Sequence, residues 1–176
     1  MTLASFITLS RIVLIFPIIY LVSIYKEHFA LILFICAGLT DYLDGYVARQ
    51  TESESSLGAL LDLLADKLLV CLVLVWCTFL SNLIVLIIPT IIIISRELII
   101  SSIRQFLVEK KGENLIKVTY VAKTKTTIQM IAVSFLILSP QMGLLFNQIT
   151  VFLIWTAALI SIYTLYNYFK LYRDLF

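Results

Sequence analysis

Long apolar runs alternate along this chain with short polar connections, and the pattern predicts six helices. Each run is close to the roughly 20 residues that an α-helix needs to cross the hydrocarbon core of a bilayer. Taken in order, the apolar runs cover residues 8–24, 29–48, 58–80, 83–108, 123–139 and 146–171. The pattern therefore favours a bundle of six transmembrane helices.

Composition supports a membrane protein. Of the 176 residues, 61% are hydrophobic and 14% are charged, whereas soluble domains usually contain about 25% charged residues. Six crossings use nearly the whole length. We therefore expect an all-α integral membrane protein made of one membrane domain over residues 1–176, with the lipid bilayer as its surroundings and no nucleic-acid partner.

The distribution of basic residues predicts the orientation of the bundle. If six helices alternate in direction, the first, third and fifth connections contain Lys26 alone among the 13 Lys and Arg residues. The other basic residues lie on or toward the opposite side, which the positive-inside rule identifies as cytoplasmic. We expect a multi-pass protein of the plasma (inner) membrane with both termini in the cytoplasm.

Four aspartates interrupt the apolar pattern between residues 41 and 66. Asp41 and Asp44 lie near the end of the second run, and Asp62 and Asp66 follow the start of the third. A charged aspartate at bilayer depth costs about 2.5 to 3.5 kcal/mol, so the group requires compensating cations. Carboxylates without His or Cys suit a hard divalent ion and hence phosphate chemistry. The alternative is that these polar side chains pair with one another between helices.

Charged residues also interrupt the fourth run. Glu97, Ser101 and Arg104 share one helical stripe, with Arg96 beside it. One interpretation makes Arg96 and Arg104 part of an anion pocket. The other is an internal pair between Glu97 and Arg104 that lets the helix keep its charges.

The stretch of residues 110–126 is the most basic part of the chain and leads into the fifth helix. Lys123 and Lys125 lie about 200° apart on a regular helix, so both can face one ligand only if this end is unwound. A helix start with two lysines suits an anion. Attraction to anionic lipid is the alternative, and it accounts for Lys110 and Lys111 better than for Lys123 and Lys125.

The aspartate spacing resembles a family signature. The pattern D-x2-D-G-x2-A-R-x8-G-x3-D-x3-D is similar to that of the CDP-alcohol phosphatidyltransferases, and it is matched here without a gap by Asp41, Asp44, Gly45, Ala48, Arg49, Gly58, Asp62 and Asp66. The segments SRELIISSIR and AKTKTTIQM resemble the phosphatidylglycerophosphate synthase branch of that family. Two positions depart from the usual pattern: Ala122 stands where glycine is usual, and Leu63 where proline is frequent.

This resemblance implies roles for particular residues. Asp41, Asp44, Asp62 and Asp66 would hold two Mg²⁺ or Mn²⁺ ions, with Asp66 also the general base. The CDP-lipid would contact Asp41, Gly45, Ala48, Arg49, Gly58 and Asp62, together with Thr8 and Arg11, which look like the family's N-terminal L-T-x-x-R element. The acceptor would contact Arg96, Arg104, Lys123 and Lys125.

Several of these positions also have a purely structural interpretation. Gly45, Ala48 and Gly58 are small enough to be simple helix-packing residues. Arg11 and Arg49 could instead anchor helix ends among lipid headgroups.

The resemblance further implies that CDP-diacylglycerol is the donor, that glycerol 3-phosphate is the acceptor, and that the active site lies at the cytoplasmic end of a homodimeric protein. Within the same class, phosphatidylglycerol, serine or an inositol phosphate are alternative acceptors. A divalent cation transporter with an aspartate-lined path is an alternative of another class. The clustering of the acids at one face argues against a transporter.

Overall fold

The computed structural model describes residues 3–51, 56–111 and 120–172, and it describes the side chains of residues 9–40, 64–65, 67–106 and 124–170. Within these ranges the chain forms α-helices and two short 3-10 turns, and no strand. In chain order the helices are α1 (Leu3–Ser23), α2 (Glu27–Thr51), α3 (Ser56–Ser81), α4 (Ile87–Lys111), α5 (Tyr120–Leu138) and α6 (Leu144–Tyr172). The all-helical prediction is confirmed, with helices that extend a few residues beyond most of the apolar runs.

The chain divides into two compact units. The first covers Met1–Asn82 and Val133–Gly143, and the second covers Leu83–Ala132 and Leu144–Phe176. The first unit thus contains α1, α2, α3 and the end of α5. The second contains α4, the start of α5 and α6.

In the first unit, α1 packs against both α2 and α3. The buried side of α1 contributes Ile15, Ile18 and Val22, which recur every three or four residues as expected for one face of a helix. The Trp76 indole N–H donates a hydrogen bond of 2.9 Å to Ser23 Oγ and so ties α3 to the end of α1. This packing positions the two helices that carry the aspartates against a common neighbour.

A polar contact closes the end of this unit where α1 turns into α2. Gln141 Nε2 donates to the carbonyl oxygen of Tyr25 at 2.8 Å and also to the carboxylate of Glu27, the first residue of α2. The turn places Tyr25 at φ 57°, in the left-handed region, and the Lys26 N–H returns to the Leu21 carbonyl at 2.9 Å. Backbone hydrogen bonds and one buried carboxylate therefore satisfy much of the polarity of this turn.

In the second unit, a 3-10 turn at Ile84–Leu86 leads into α4, and α4 packs against α6. The buried face of α6 consists largely of small residues, which permit close approach of helices. These small buried residues are Thr150, Ala157, Ala158, Ser161 and Thr164. The Thr150 and Thr164 hydroxyls donate to carbonyls of their own helix at 2.9 Å, so they enter the interface with their polarity satisfied.

The outer surface is strongly apolar. On α1 the side chains of Val13, Phe16 and Tyr20 are exposed, with Phe16 at 72%. Two described stretches, Ile84–Phe106 and Leu144–Lys170, are long and apolar enough to cross a bilayer, and shorter apolar stretches occupy Leu9–Ser23, Glu27–Thr40 and Lys67–Ser81. An apolar exterior of this kind is suited to lipid rather than to water.

Candidate active site

The first candidate region is the aspartate segment, which we define as residues 41–66; its described residues lie on α2 and α3 of the first compact unit. Residues 41–51 and 56–66 have helical backbone, so the spacing of the acids becomes a spatial arrangement. Asp41 and Asp44 stand about 60° apart around α2, and Asp62 and Asp66 lie one turn apart along α3. Each helix therefore brings two carboxyl-bearing positions to one face.

The two pairs are also matched in their distance from the connection between the helices. Asp44 lies seven residues before the end of α2 at Thr51, and Asp62 lies six residues after the start of α3 at Ser56. At 1.5 Å per residue, each stands about 10 Å along its helix from that end. That both pairs serve one site stays a prediction.

The side chains of most residues in the predicted donor and metal sites lie outside those that the structure describes. These residues are Thr8, Asp41, Asp44, Gly45, Ala48, Arg49, Gly58, Asp62 and Asp66. Among the side chains that are described, no group of three or more His, Cys, Asp or Glu comes together. The four aspartates on these helices nevertheless fit a divalent metal ion, because carboxylates offer only hard oxygen ligands.

Arg11 is the residue of the predicted donor site whose side chain is described. It lies on α1 and is completely buried, at 0% exposure. An arginine that anchors a helix end among headgroups needs contact with the headgroup region. Full burial disfavours that interpretation and shows that Arg11 lies in the protein interior.

The second compact unit contains a separate group of three charged residues on α4 and α5, which we call the cation cluster: Arg96, Glu97 and Lys125. Glu97 Oε1 accepts a hydrogen bond from Arg96 Nη1 at 3.2 Å and forms an ion pair with Lys125 Nζ. All three residues are buried, and Lys125 is only 2% exposed. The sequence predicted that Arg96 and Lys125 act together, and the fold brings both to one carboxylate oxygen.

The cation cluster retains unsatisfied hydrogen-bonding capacity. Arg96 Nε is buried and has no hydrogen-bond partner among the described residues, and the same holds for Ser101 Oγ, which lies one turn after Glu97 on α4. A buried donor without a partner costs about 1–3 kcal/mol. With two positive charges and one negative charge, the cluster carries a net charge of +1. Its charge and its open donor both suit an anion.

The other two predicted acceptor residues are placed differently. Arg104 is partly exposed and is not a partner of Glu97 among the described side chains, so the alternative pair Glu97–Arg104 is replaced by pairs with Arg96 and Lys125. The Lys123 side chain lies outside the described ones. Because α5 is helical from Tyr120 onward, positions 123 and 125 stand about 200° apart. Lys125 is the one that joins Arg96.

Sequence reasoning missed the position of Glu97 between the two cations. The available signal was a glutamate next to an arginine in an apolar helix, which must find a positive partner when buried. Two candidates, Arg96 and Arg104, were close in sequence. The third, Lys125, lies 28 residues away and was brought to Glu97 by tertiary packing.

Comparison with known proteins gives a consistent result. The family model for CDP-alcohol phosphatidyltransferases matches residues 1–163. Three curated relatives carry the name CDP-diacylglycerol–glycerol-3-phosphate 3-phosphatidyltransferase. That of Rickettsia typhi is 37% identical over 99% of this chain and 98% of its own length. That of Haemophilus influenzae is 34% identical over 94% and 90%, and that of Escherichia coli K12 is 31% identical over 96% and 93%. This chain belongs to the CDP-alcohol phosphatidyltransferase family.

Proposed function

We propose that this enzyme transfers the phosphatidyl group from CDP-diacylglycerol to sn-glycerol 3-phosphate, giving phosphatidylglycerophosphate and CMP. The observation that carries the proposal is the eight-position aspartate motif on helical backbone, in a chain similar over nearly its full length to proteins named for this reaction. The whole chain, residues 1–176, acts as one membrane domain. Its products would feed phospholipid biosynthesis.

The aspartates provide the centre of the reaction. Asp41, Asp44, Asp62 and Asp66 would hold divalent ions, on which the family generally depends, and we assign two ions of Mg²⁺ or Mn²⁺. Ions held there would supply positive charge to neutralise the pyrophosphate. The acceptor hydroxyl oxygen forms the new bond to phosphorus, the bond from phosphorus to the CMP oxygen breaks, and Asp66 receives the hydroxyl proton.

Residues around the aspartates bind the donor. Gly45, Ala48 and Gly58 lack bulky side chains, so a flat cytidine and its ribose can approach the helix backbone. Arg49 offers a bidentate contact to phosphate, and Thr8 and Arg11 contribute from α1. The full burial of Arg11 supports an internal role for α1 in this donor site.

The cation cluster binds the acceptor. Glycerol 3-phosphate carries close to two negative charges, and Arg96 and Lys125 are cations already placed together. The unpartnered Arg96 Nε supplies a donor for a phosphate oxygen. Arg104 contributes from a more exposed position. Lys123 was also predicted to bind the acceptor, but α5 is helical from Tyr120 and places positions 123 and 125 about 200° apart, so the two cannot both face one ligand.

The protein crosses the plasma (inner) membrane six times as a helical bundle, with both termini and the active site at the cytoplasmic side. Two observations support this topology. The described residues form six helices, and 12 of the 13 Lys and Arg residues lie on or toward the side that we assign to the cytoplasm.

Cysteine labelling tests this orientation. A cysteine placed at Glu113 should react with an impermeant thiol reagent only from the cytoplasmic side, and one at Lys26 only from outside. These variants are made in a background in which the three native cysteines are replaced. The reverse labelling pattern would contradict this orientation.

We propose a homodimer on the basis of the family resemblance, and crosslinking in native membranes tests it.

The names of the relatives do not favour the alternative functions. These alternatives are phosphatidylglycerol, serine or an inositol phosphate as the acceptor, and a cation transporter.

Release of labelled CMP from CDP-diacylglycerol tests the proposed reaction. The purified protein in detergent micelles is supplied with Mg²⁺ and with each acceptor in turn. CMP release should require glycerol 3-phosphate, and the lipid product should carry its phosphate. Release with serine or an inositol phosphate instead would identify another acceptor. Metal flux into proteoliposomes without any CMP release would point to a transporter.

A further inference from the structure

Glu97 holds an unusual position for an acidic residue beside a predicted phosphate site. A single oxygen, Glu97 Oε1, faces both Arg96 Nη1, at 3.2 Å, and Lys125 Nζ. A carboxylate next to a phosphate site would normally weaken binding through repulsion of like charges. We therefore expect Glu97 to provide a stabilising interaction that is larger than this repulsion.

The two buried cations need such a stabilising interaction. Arg96 and Lys125 are 8% and 2% exposed and come from different helices, α4 and α5. Two buried positive charges repel each other and lose their hydration, and a charge between them offsets both effects. Glu97 thus allows two cations to be placed together before any substrate arrives.

Glu97 also leaves part of Arg96 available. The carboxylate occupies one Nη of the guanidinium, while the buried Nε has no partner among the described residues. A guanidinium that is held at one edge presents its remaining N–H groups in a fixed direction. The arrangement has a net charge of +1 and an open donor, which suits a phosphate oxygen.

We propose that Glu97 is a positioning residue for the acceptor phosphate: it holds Arg96 and Lys125 together as one preorganised cation pair that binds the phosphate of glycerol 3-phosphate. This inference rests on the proposed function, because it assigns the anion to the acceptor. Glu97 itself contacts neither the reacting hydroxyl nor the donor. It acts through the two cations.

The test is a double-mutant cycle on acceptor kinetics. Glu97→Gln retains the size and an acceptor oxygen but removes the charge, and Lys125→Met removes the second cation. Glu97→Gln should raise the KM for glycerol 3-phosphate by about 10-fold, within the range of couplings between contacting groups, and leave the KM for CDP-diacylglycerol unchanged. In the Lys125→Met background, Glu97→Gln should add less than about 2-fold. Glu97→Asp, which keeps the charge, should recover part of the loss.

Glu27→Gln is a matched control. Glu27 is also a buried glutamate that accepts a side-chain hydrogen bond, from Gln141, but it begins α2, 14 residues before Asp41 in the same helix. This variant should leave the KM for glycerol 3-phosphate unchanged. A wild-type acceptor KM in Glu97→Gln would overturn the inference. So would additive effects in the cycle, or a parallel loss of Tm, kcat and affinity for both substrates, since these are the results of a merely structural role.

A binding measurement separates failure of this inference from failure of the proposed function. If the wild-type protein releases no CMP with glycerol 3-phosphate, the proposed reaction is wrong, whatever the role of Glu97. Inorganic phosphate should still raise the Tm of the wild-type protein, and it should raise that of Glu97→Gln by much less. An equal rise in both proteins, or no rise in either, would overturn the positioning role.

Discussion

The aspartate segment and the cation cluster differ in how the chain assembles them. In the aspartate segment, the acids on each helix are three or four residues apart, so helix formation alone brings each pair to one face. In the cation cluster, Glu97 and Lys125 are 28 residues apart and meet because α4 and the start of α5 belong to one compact unit. One region is specified by local periodicity, and the other depends on tertiary packing.

This difference has a consequence for charge. The aspartate segment gathers negative charge and requires cations from outside the chain. The cation cluster contains two cations and a counter-ion of its own, Glu97, so the three residues together carry a charge of +1. Removal of one residue should therefore have unequal effects in the two regions.

The largest effect is expected in the aspartate segment. Asp41→Asn or Asp62→Asn removes a charged ligand oxygen, and changes even to residues that only support metal ligands cost about 10–100-fold. Each replacement should reduce CMP release by at least about 100-fold. The folded protein should remain in the membrane, which size-exclusion chromatography in detergent would verify. Near-normal activity in either variant would remove that residue from the metal site.

Metal removal should reproduce this loss in the unmodified protein. Treatment with EDTA should abolish CMP release, and added Mg²⁺ or Mn²⁺ should restore it, because carboxylate oxygens bind both ions reversibly. The aspartate variants should not recover at the same metal concentration. Full activity after EDTA treatment would contradict a metal-dependent reaction.

A smaller and more selective effect is expected in the cation cluster. Arg96→Ala or Lys125→Ala removes a charge-assisted hydrogen bond to the acceptor phosphate, worth about 1.5–3 kcal/mol. The KM for glycerol 3-phosphate should rise by about 10- to 150-fold, while the KM for CDP-diacylglycerol changes little. Steady-state kinetics with one substrate varied at a time separates the two constants. Unchanged acceptor kinetics in both variants would move the acceptor pocket elsewhere.

The smallest effect is expected from Arg104. Its side chain is partly exposed and is not held by Glu97, so it contributes as a solvated charge, worth at most about 1 kcal/mol. Arg104→Ala should raise the KM for glycerol 3-phosphate by less than about 5-fold, and added salt should reduce that difference. An effect as large as that of Arg96→Ala would place Arg104 in direct contact with the phosphate.

The sequence by itself determined the helical segments, the membrane character and the family. Apolar runs of about 20 residues predict helices without any knowledge of their neighbours, because periodicity and length are local properties. The aspartate motif is equally local, since positions such as Asp62 and Asp66 share a face in any regular helix. Its role at the centre of the site remains a prediction from that spacing.

Only the tertiary structure decided which charges pair. From the sequence, Arg104 was a reasonable partner for Glu97 because the two share a stripe on α4, yet Lys125 on another helix is the partner found. The burial of Arg11 also could not be predicted from the sequence, since an arginine near a helix end can lie either among lipid headgroups or in the protein interior. The physical reason is the same in both cases. Pairing of a buried charge depends on which helix faces bring their side chains into contact, and spacing within a single helix carries no information about its neighbours.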